Sequence, residues 1–419
     1  MPNLARRRSV APSVKNHMMT SANPAPAATQ QQQVSRVAWL HFANDFTLDF
    51  ISPLLPAGVG VAWLGFMEGA ADATGQVLKL VTGRASDRTG RRVPWVIAGY
   101  SINAAARPLM GIGMLLMWPW WIVACRIFDR IGKGVRGSAV DAFITDWTDD
   151  GSRARAFARM RVMDHLGATL GGLAAAGVAF WWESKLGWVV CGLVLVTIWV
   201  AWLCRGLRDV PRESPQPGNR SAKAGWWPSE VVVRRPLTAI GCAALASKVS
   251  PLLILAHVAG MSALNGAGAW PLWQVCLGWA VLGIVQAGAA GVAGILTERM
   301  GPAQFLRSAW LMGAGVFVAL ALTTGAGLIA AGIAFGIFAG LTDGAEKTWL
   351  AGIAGKAERA ITFGALALIT AGAVLAGNAV CGVMLAWWGP VVFLILAGAL
   401  GVGALGTLGV KRTTNAIIL

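Results

Sequence analysis

The sequence predicts an all-α integral membrane protein, and three observations carry that expectation. Hydrophobic residues make up 56% of the 419-residue chain and charged residues only 13%, about half of what a soluble domain uses to cover its outside. Apolar stretches of about 20 residues, enough to cross a ~30 Å hydrocarbon core, recur from Val37 to Val410. The alternating pattern of a membrane barrel is absent, and a segment in lipid must then satisfy its own backbone groups, as a helix does.

The elements are expected in the following order. Residues 1–34 lack Asp and Glu and carry Pro, Ala, Ser, several arginines and the run "QQQQ", which reads as a disordered basic cytoplasmic tail. Its Arg-rich, acid-free character also fits an organelle transit peptide, with Met18 and Met19 as alternative starts. Six spans occupy residues 35–205, centred near Asp45, Asp72, Asn103, Asp129, Gly171 and Leu195. Residues 206–235, rich in Pro, Gly and Arg, form a cytoplasmic linker in which Trp226 and Trp227 float an amphipathic piece at the interface. Six more spans occupy residues 236–412, centred near Leu252, Leu282, Met312, Phe335, Ala373 and Leu396, before a short tail at 413–419. Twelve transmembrane helices in two six-helix repeats are therefore expected.

The formal net charge of +16 raises the question of nucleic acid, and its placement answers no. Lys and Arg gather in the first tail, in the linker and in alternate loops, including Arg84 to Arg92 and Arg153 to Arg159. The intervening loops near 58–61, 112–119, 260–269, 323–327 and 386–390 have neither, and Lys185 is the one exception. Positive charge stays on the cytoplasmic side, so both termini are expected there, in a bacterial inner membrane whose anionic lipids the basic loops touch. Trp118, Trp120, Trp121, Trp181, Trp182, Trp188, Trp387 and Trp388 mark the outer boundary. The six cysteines lie scattered in apolar segments without CxxC spacing and read as small packing residues.

The halves repeat. "GRASDRTG" starts at Gly83 after the second span, and "GILTERMG" starts at Gly294 after the eighth. "LGATLGG" (Leu166 to Gly172) has a counterpart in "AGAVLAG" (Ala371 to Gly377). Two parallel six-helix repeats joined by a cytoplasmic linker mark one kind of secondary transporter. In the first turn, Gly83 permits close helix approach and Gly90 a tight reversal. Asp87 is placed to face a helix N-terminus and nearby arginines, while Arg88, Arg91 and Arg92 hold the loop in the cytoplasm.

"GRASDRTGRR" resembles the major facilitator superfamily signature G-x-x-x-D-R-x-G-R-[RK] at every fixed position. The second copy is degenerate: Glu298 precedes Arg299 in place of Asp, and Pro302-Ala303 replace the basic pair. "NDFTLDFISPLLP", "RIFDRIGKGVRGSAVDAFITD" and "GLTDGAEKTWLAGIA" resemble a prokaryotic permease branch of that superfamily. The resemblance implies proton-coupled alternating access, a cavity lined by the first, fourth, seventh and tenth helices, and a turn around Asp87 that locks one state. Two departures alter cavity charge: Val140 stands where the branch has an arginine, and Lys248 where relatives show Asn, Ser or Asp.

Charges recur inside the apolar spans. His41, Asp45 and Asp49 fall at i, i+4 and i+8, as do Glu68, Asp72 and Gln76, so each set shares one helix face. An ionisable group at mid-bilayer costs about 2.5–3.5 kcal/mol on insertion scales, so these faces should meet water or basic partners. Asp45, Asp49, Glu68 and Asp72, with Asp343 and Glu346 of the tenth span, are the expected proton or substrate groups. Arg126, Asp129, Arg130, Arg161 and Asp164 are expected as interhelical ion pairs of a cytoplasmic gate. His165 and His257 read as packing residues, and the glycine clusters as helix contacts.

No Walker loop, hydrolase elbow or HExxH motif occurs, so neither an enzyme nor ATP-driven transport is expected, and no cofactor. The expected function is secondary transport of a small solute by a monomer in the lipid bilayer, proton-coupled and outward. One alternative is a divalent cation such as iron or nickel, held by His41, Asp45 and Asp49. Another is a non-transporting scaffold or sensor on the same fold.

Overall fold

The computed structural model describes residues 27–210, 231–261, 269–342, 345–354 and 359–408. Among these every regular element is helical. The order is α1 (Ala27–Ile51), α2 (Leu55–Val59), α3 (Val61–Thr89), α4 (Val93–Leu115), α5 (Pro119–Trp147), α6 (Asp150–Trp182), α7 (Leu186–Gly192) and α8 (Val194–Arg205). It continues with α9 (Val231–Ser247), α10 (Pro251–Val258), α11 (Leu272–Met300), α12 (Pro302–Leu322), α13 (Gly325–Thr342), α14 (Ala345–Ile353), α15 (Arg359–Trp388) and α16 (Val392–Gly406).

Six described stretches are long and apolar enough to cross a membrane, from Arg155–Arg205 to Ile361–Gly406, two of them long enough to hold two crossings. Helices α1, α3, α4 and α5 lie outside this set although 23 to 29 residues long. Their internal charges lower the hydropathy that composition alone would need. The expected basic tail is shorter than residues 1–34, because helix already begins at Ala27. Ala and Gln are good helix formers, and two of the glutamines find partners. Gln33 donates to the Gly206 carbonyl at 3.0 Å and accepts from Arg208 N at 3.2 Å, while Gln30 donates to Ser152 Oγ at 3.3 Å. Likewise helix α9 starts inside the expected linker, at Val231. Trp226, Trp227 and residues 413–419 lie outside the described residues.

Where a helix is interrupted, side chains supply the missing bonds. Pro108 inside α4 has no N–H for the Ala104 carbonyl, and Thr197 of α8 donates to that carbonyl at 2.7 Å. Between α9 and α10 the chain unwinds at Lys248–Ser250, with Pro251 opening the next helix. Asn378 of α15 bridges the gap, accepting from Ser250 N at 2.6 Å and donating to the Lys248 carbonyl at 3.1 Å. Asp149 caps α6 by accepting from Ser152 N at 2.8 Å, and the Ser152 hydroxyl together with that N–H holds its exposed carboxyl below the ordinary Asp range.

Helix α1 packs on α6, α3 and α4 on α5, α9 on α15 and α16, and α11 and α12 on α13. Close approach is set by glycine. A Cβ on Gly171 would stand 2.2 Å from the Phe46 carbonyl, and one on Gly377 would stand 2.1 Å from the Leu245 carbonyl. The two interfaces, α1 with α6 and α9 with α15, thus use the same device, one residue out of register with the sequence repeat.

Contacts between α1–α8 and α9–α16 run mainly through α3 with α15 and α6 with α11, with smaller ones of α10 on α2 and α3. They include Gly65 against Asn378 and Gly382, Gly172 against Ala280, and Phe180 edge-on to Trp273 with centroids 5.5 Å apart. These residues lie toward the helix ends away from the basic turns.

Candidate functional site

Helix α5 is the spine of the site. Its positions 126, 130 and 133 share a face directed toward α3, while 129 and 136 turn toward α4. Small residues make room: Gly132 lies against Asn103, and Gly134 against Gly75 and Leu78.

Six charged groups on α3, α4 and α5 meet in a continuous ion network. Arg126 Nε donates to Glu68 Oε1 at 2.7 Å, and Arg130 Nε donates to Asp72 Oδ1 at 2.9 Å. Arg130 also approaches Glu68 at 4.0 Å and Asp129 at 3.6 Å. Asp129, wholly buried, accepts from Arg107 Nε at 2.9 Å and from Asn103 Nδ2 at 2.9 Å. Arg107 reaches on to α1, donating to the Asn44 carbonyl, Thr47 Oγ1 and, at 2.9 Å, Asn44 Oδ1. Arg136 lies over the Tyr100 ring, 4.4 Å from its centroid, and donates to Asn103 Oδ1 at 3.1 Å.

This arrangement redistributes the expected roles. Arg126, Asp129 and Arg130 do form interhelical pairs, but deep in α5, about 25 to 32 Å along the helix from its Trp147 end. Their partners are Glu68, Asp72 and Arg107. Glu68 and Asp72 therefore belong with the ion pairs rather than with free acids. Asp164 is paired with His41, Nδ1 to Oδ1 at 2.6 Å, and Arg161 is exposed one turn before it. Asp45 accepts from Asn44 Nδ2 at 2.6 Å, and Asp49 accepts from Trp279 Nε1 of α11 at 2.8 Å. Neither has a cationic partner within ion-pair reach among the described residues. Glu346 pairs with Lys248 at 3.3 Å, and Asp343 lies outside the described residues.

The set proposed for a divalent cation does not assemble. Among the described residues no three His, Cys, Asp or Glu side chains converge as ligands, because Asp164 occupies the His41 Nδ1 and Trp279 reaches Asp49 from the other half.

The signature turn is tied down through Arg92. Its guanidinium meets Asp87 at 2.7 Å and Asp146 at 3.5 Å, and donates to Ser86 Oγ at 2.9 Å. Gly90 takes the left-handed conformation at φ +67° that closes α3. The N-terminus of α4 is capped by Asp209 rather than Asp87, with Oδ1 accepting from Arg92 N at 2.8 Å and Val93 N at 2.9 Å. Arg88 and Arg91 are exposed, and Gly83 lies against Ser138 of α5. In the second turn Glu298 and Arg299 are exposed and have no partner among the described residues.

Sequence reasoning missed Arg107 and Asp209. An arginine before a proline in an otherwise apolar span was the available signal for the first; the second sat in a run read as linker.

Comparison with known proteins agrees with this architecture. Over 128 residues the chain is 38% identical to an uncharacterised protein of Mycobacterium tuberculosis, covering 30% of each chain. Over 145 residues it is 26% identical to an uncharacterised MFS-type transporter of Methanocaldococcus jannaschii, covering 33% of this chain and 35% of that one. These matches span about a third of the relatives' length. In fold the chain is similar to a bacterial homolog of the human lysosomal transporter Spinster in an inward-facing, occupied conformation (TM-score 0.66, 17% identity, 94% and 98% of the chains). It is also similar to a human organic anion transporter (TM-score 0.62, 17% identity, 90% and 99%). The sequence profile of the Major Facilitator Superfamily matches residues 37–327, and with the turn, the helix order and the fold in agreement, the chain belongs to that superfamily.

Proposed function

We propose that the protein is a proton-coupled secondary active transporter that moves a small solute by alternating access, exporting it from the cytoplasm. The observation that carries the reading is the pair Asp45 and Asp49. They lie one turn apart on α1, beside a network in which the other central acids of α3 and α5 are already matched by arginine. A carboxylate without a cation in such surroundings can take and release a proton as water access changes. Asp49 is also bonded to Trp279 of the other half, so its environment changes when the halves part. The positive-inside rule assigns the basic turns to the cytoplasm. The contacts between halves lie away from those turns, which supports an inward-open state.

Purified protein in vesicles with an imposed pH gradient tests this. Asp45→Asn and Asp49→Asn, measured separately, should abolish gradient-driven flux in at least one case while substrate exchange persists. Full proton drive in both variants refutes the assignment, and no proton movement by the unmodified chain favours a non-transporting role.

A further inference from the structure

The face that α5 turns toward α3 carries a cation with no acid bonded to it. Arg126 is matched by Glu68, Arg130 by Asp72, and Arg107 by Asp129. Lys133, on the same face of α5 and half-way along it, is exposed and has neither a hydrogen bond nor an ion pair among the described residues. It does not face lipid: the charges around it are Arg130 and Arg136 of α5, Asp72 of α3 and Asp45 of α1. Asp72 is held by Arg130 and Asp45 by Asn44. Nearby, Arg126 leaves a buried Nη1 without a hydrogen-bond partner, so its guanidinium keeps donor capacity in hand, while the Arg130 Nη1 faces Asp129 at 3.6 Å.

In the open state water can solvate the Lys133 ammonium. Closing the wall around it removes that water, and an unmatched buried charge is strongly unfavourable. We propose that Lys133 receives an oxyanion group of the transported solute, a carboxylate or a phosphate. Arg126 and Arg130 stand behind it on the same helix face. The solute then supplies the counter-ion contact that Lys133 lacks, which makes closure with an empty site unfavourable. This rests on the transport reading above and names its substrate class.

The test uses the full chain purified in detergent, with thermal unfolding followed in benzoate, citrate or inorganic phosphate, and in tetraethylammonium or glucose for contrast. At least one of the three anions should raise the midpoint saturably, by about 3 °C at a hundredfold excess over half-saturation. Lys133→Gln should remove that shift and Lys133→Arg should keep most of it, with both variants matching the parent in size and helix content. The inference is overturned if none of the three anions stabilises, if an anion stabilises Lys133→Gln equally, or if only the cation or the sugar acts. It also fails separately from the transport reading. Proton flux without anion stabilisation retains transport and removes this site; anion stabilisation without proton flux does the reverse.

Discussion

Helices α1–α8 and α9–α16 share a packing device but not a charge pattern. Gly171 lets α6 close on α1, and Gly377 lets α15 close on α9, each against a backbone carbonyl. Yet the buried ion network runs through α3, α4 and α5, whereas the described ion pair within α9–α16 joins Lys248 to Glu346. The stretches apolar enough to cross a membrane by composition alone begin at Arg155. One repeat carries the buried ion network, and the other has a greasier frame whose helix break at Lys248–Ser250 is bridged by Asn378.

The largest effect that would sharpen this contrast is at Asp129. Replacing it by Ala strands Arg107 without a counter-charge in a site where both are almost fully buried, and such a loss costs about 3–5 kcal/mol. Folded yield in detergent should collapse. The double variant Asp129→Leu with Arg107→Leu should recover much of it, since no lone charge remains. Glu346→Gln, whose partner Lys248 is partly exposed, should lower the unfolding midpoint less. Equal losses at Asp129 and Glu346 would erase the asymmetry.

The shared device predicts symmetry of a different kind. Gly171→Val and Gly377→Val should each destabilise by about 1–3 kcal/mol through overpacking, and similarly in the two halves. A neutral result in one half would break the structural equivalence while leaving the charge contrast intact.

The smallest change in stability is expected at the turns. Asp87 is exposed although paired with Arg92, and surface pairs contribute about 0–1 kcal/mol. Asp87→Asn should leave the unfolding midpoint nearly unchanged yet slow transport in vesicles, because Arg92 links the turn to α5 through Asp146. Glu298→Gln, in the second turn, should alter neither. Normal transport by a well-folded Asp87→Asn protein would remove the latch role.

Much of the fold was legible because lipid leaves the backbone few options: length, hydropathy and loop charge are read one segment at a time. The site was legible only in part. Spacing placed Asp45 with Asp49 and Glu68 with Asp72 on common faces, but spacing within a helix says nothing about what stands opposite. Arginines 58 residues further along the chain separate the second pair from the first. His41 found Asp164 across 123 residues, and Asn378 repaired a break 128 residues away. Such matches depend on helix packing, which one sequence does not disclose. The helical start at Ala27 was hidden in the same way, since Gln33 is held by partners near residue 206.

The crossing of Gly65 with Gly382 makes α3 a lever. At that point the two backbones nearly touch, and a Cβ on either glycine would fall 2.7 Å from the other's Cα. The long arm runs from there to the signature turn at Thr89, about 36 Å at 1.5 Å per residue, and a rotation of about 10° at the fulcrum swings its tip by about 6 Å. The short arm, from Gly65 back to Val61, moves by about 1 Å under the same rotation. A tilt small enough to leave one end packed can therefore part the other by about two water diameters, the gearing that a gate at only one end at a time requires.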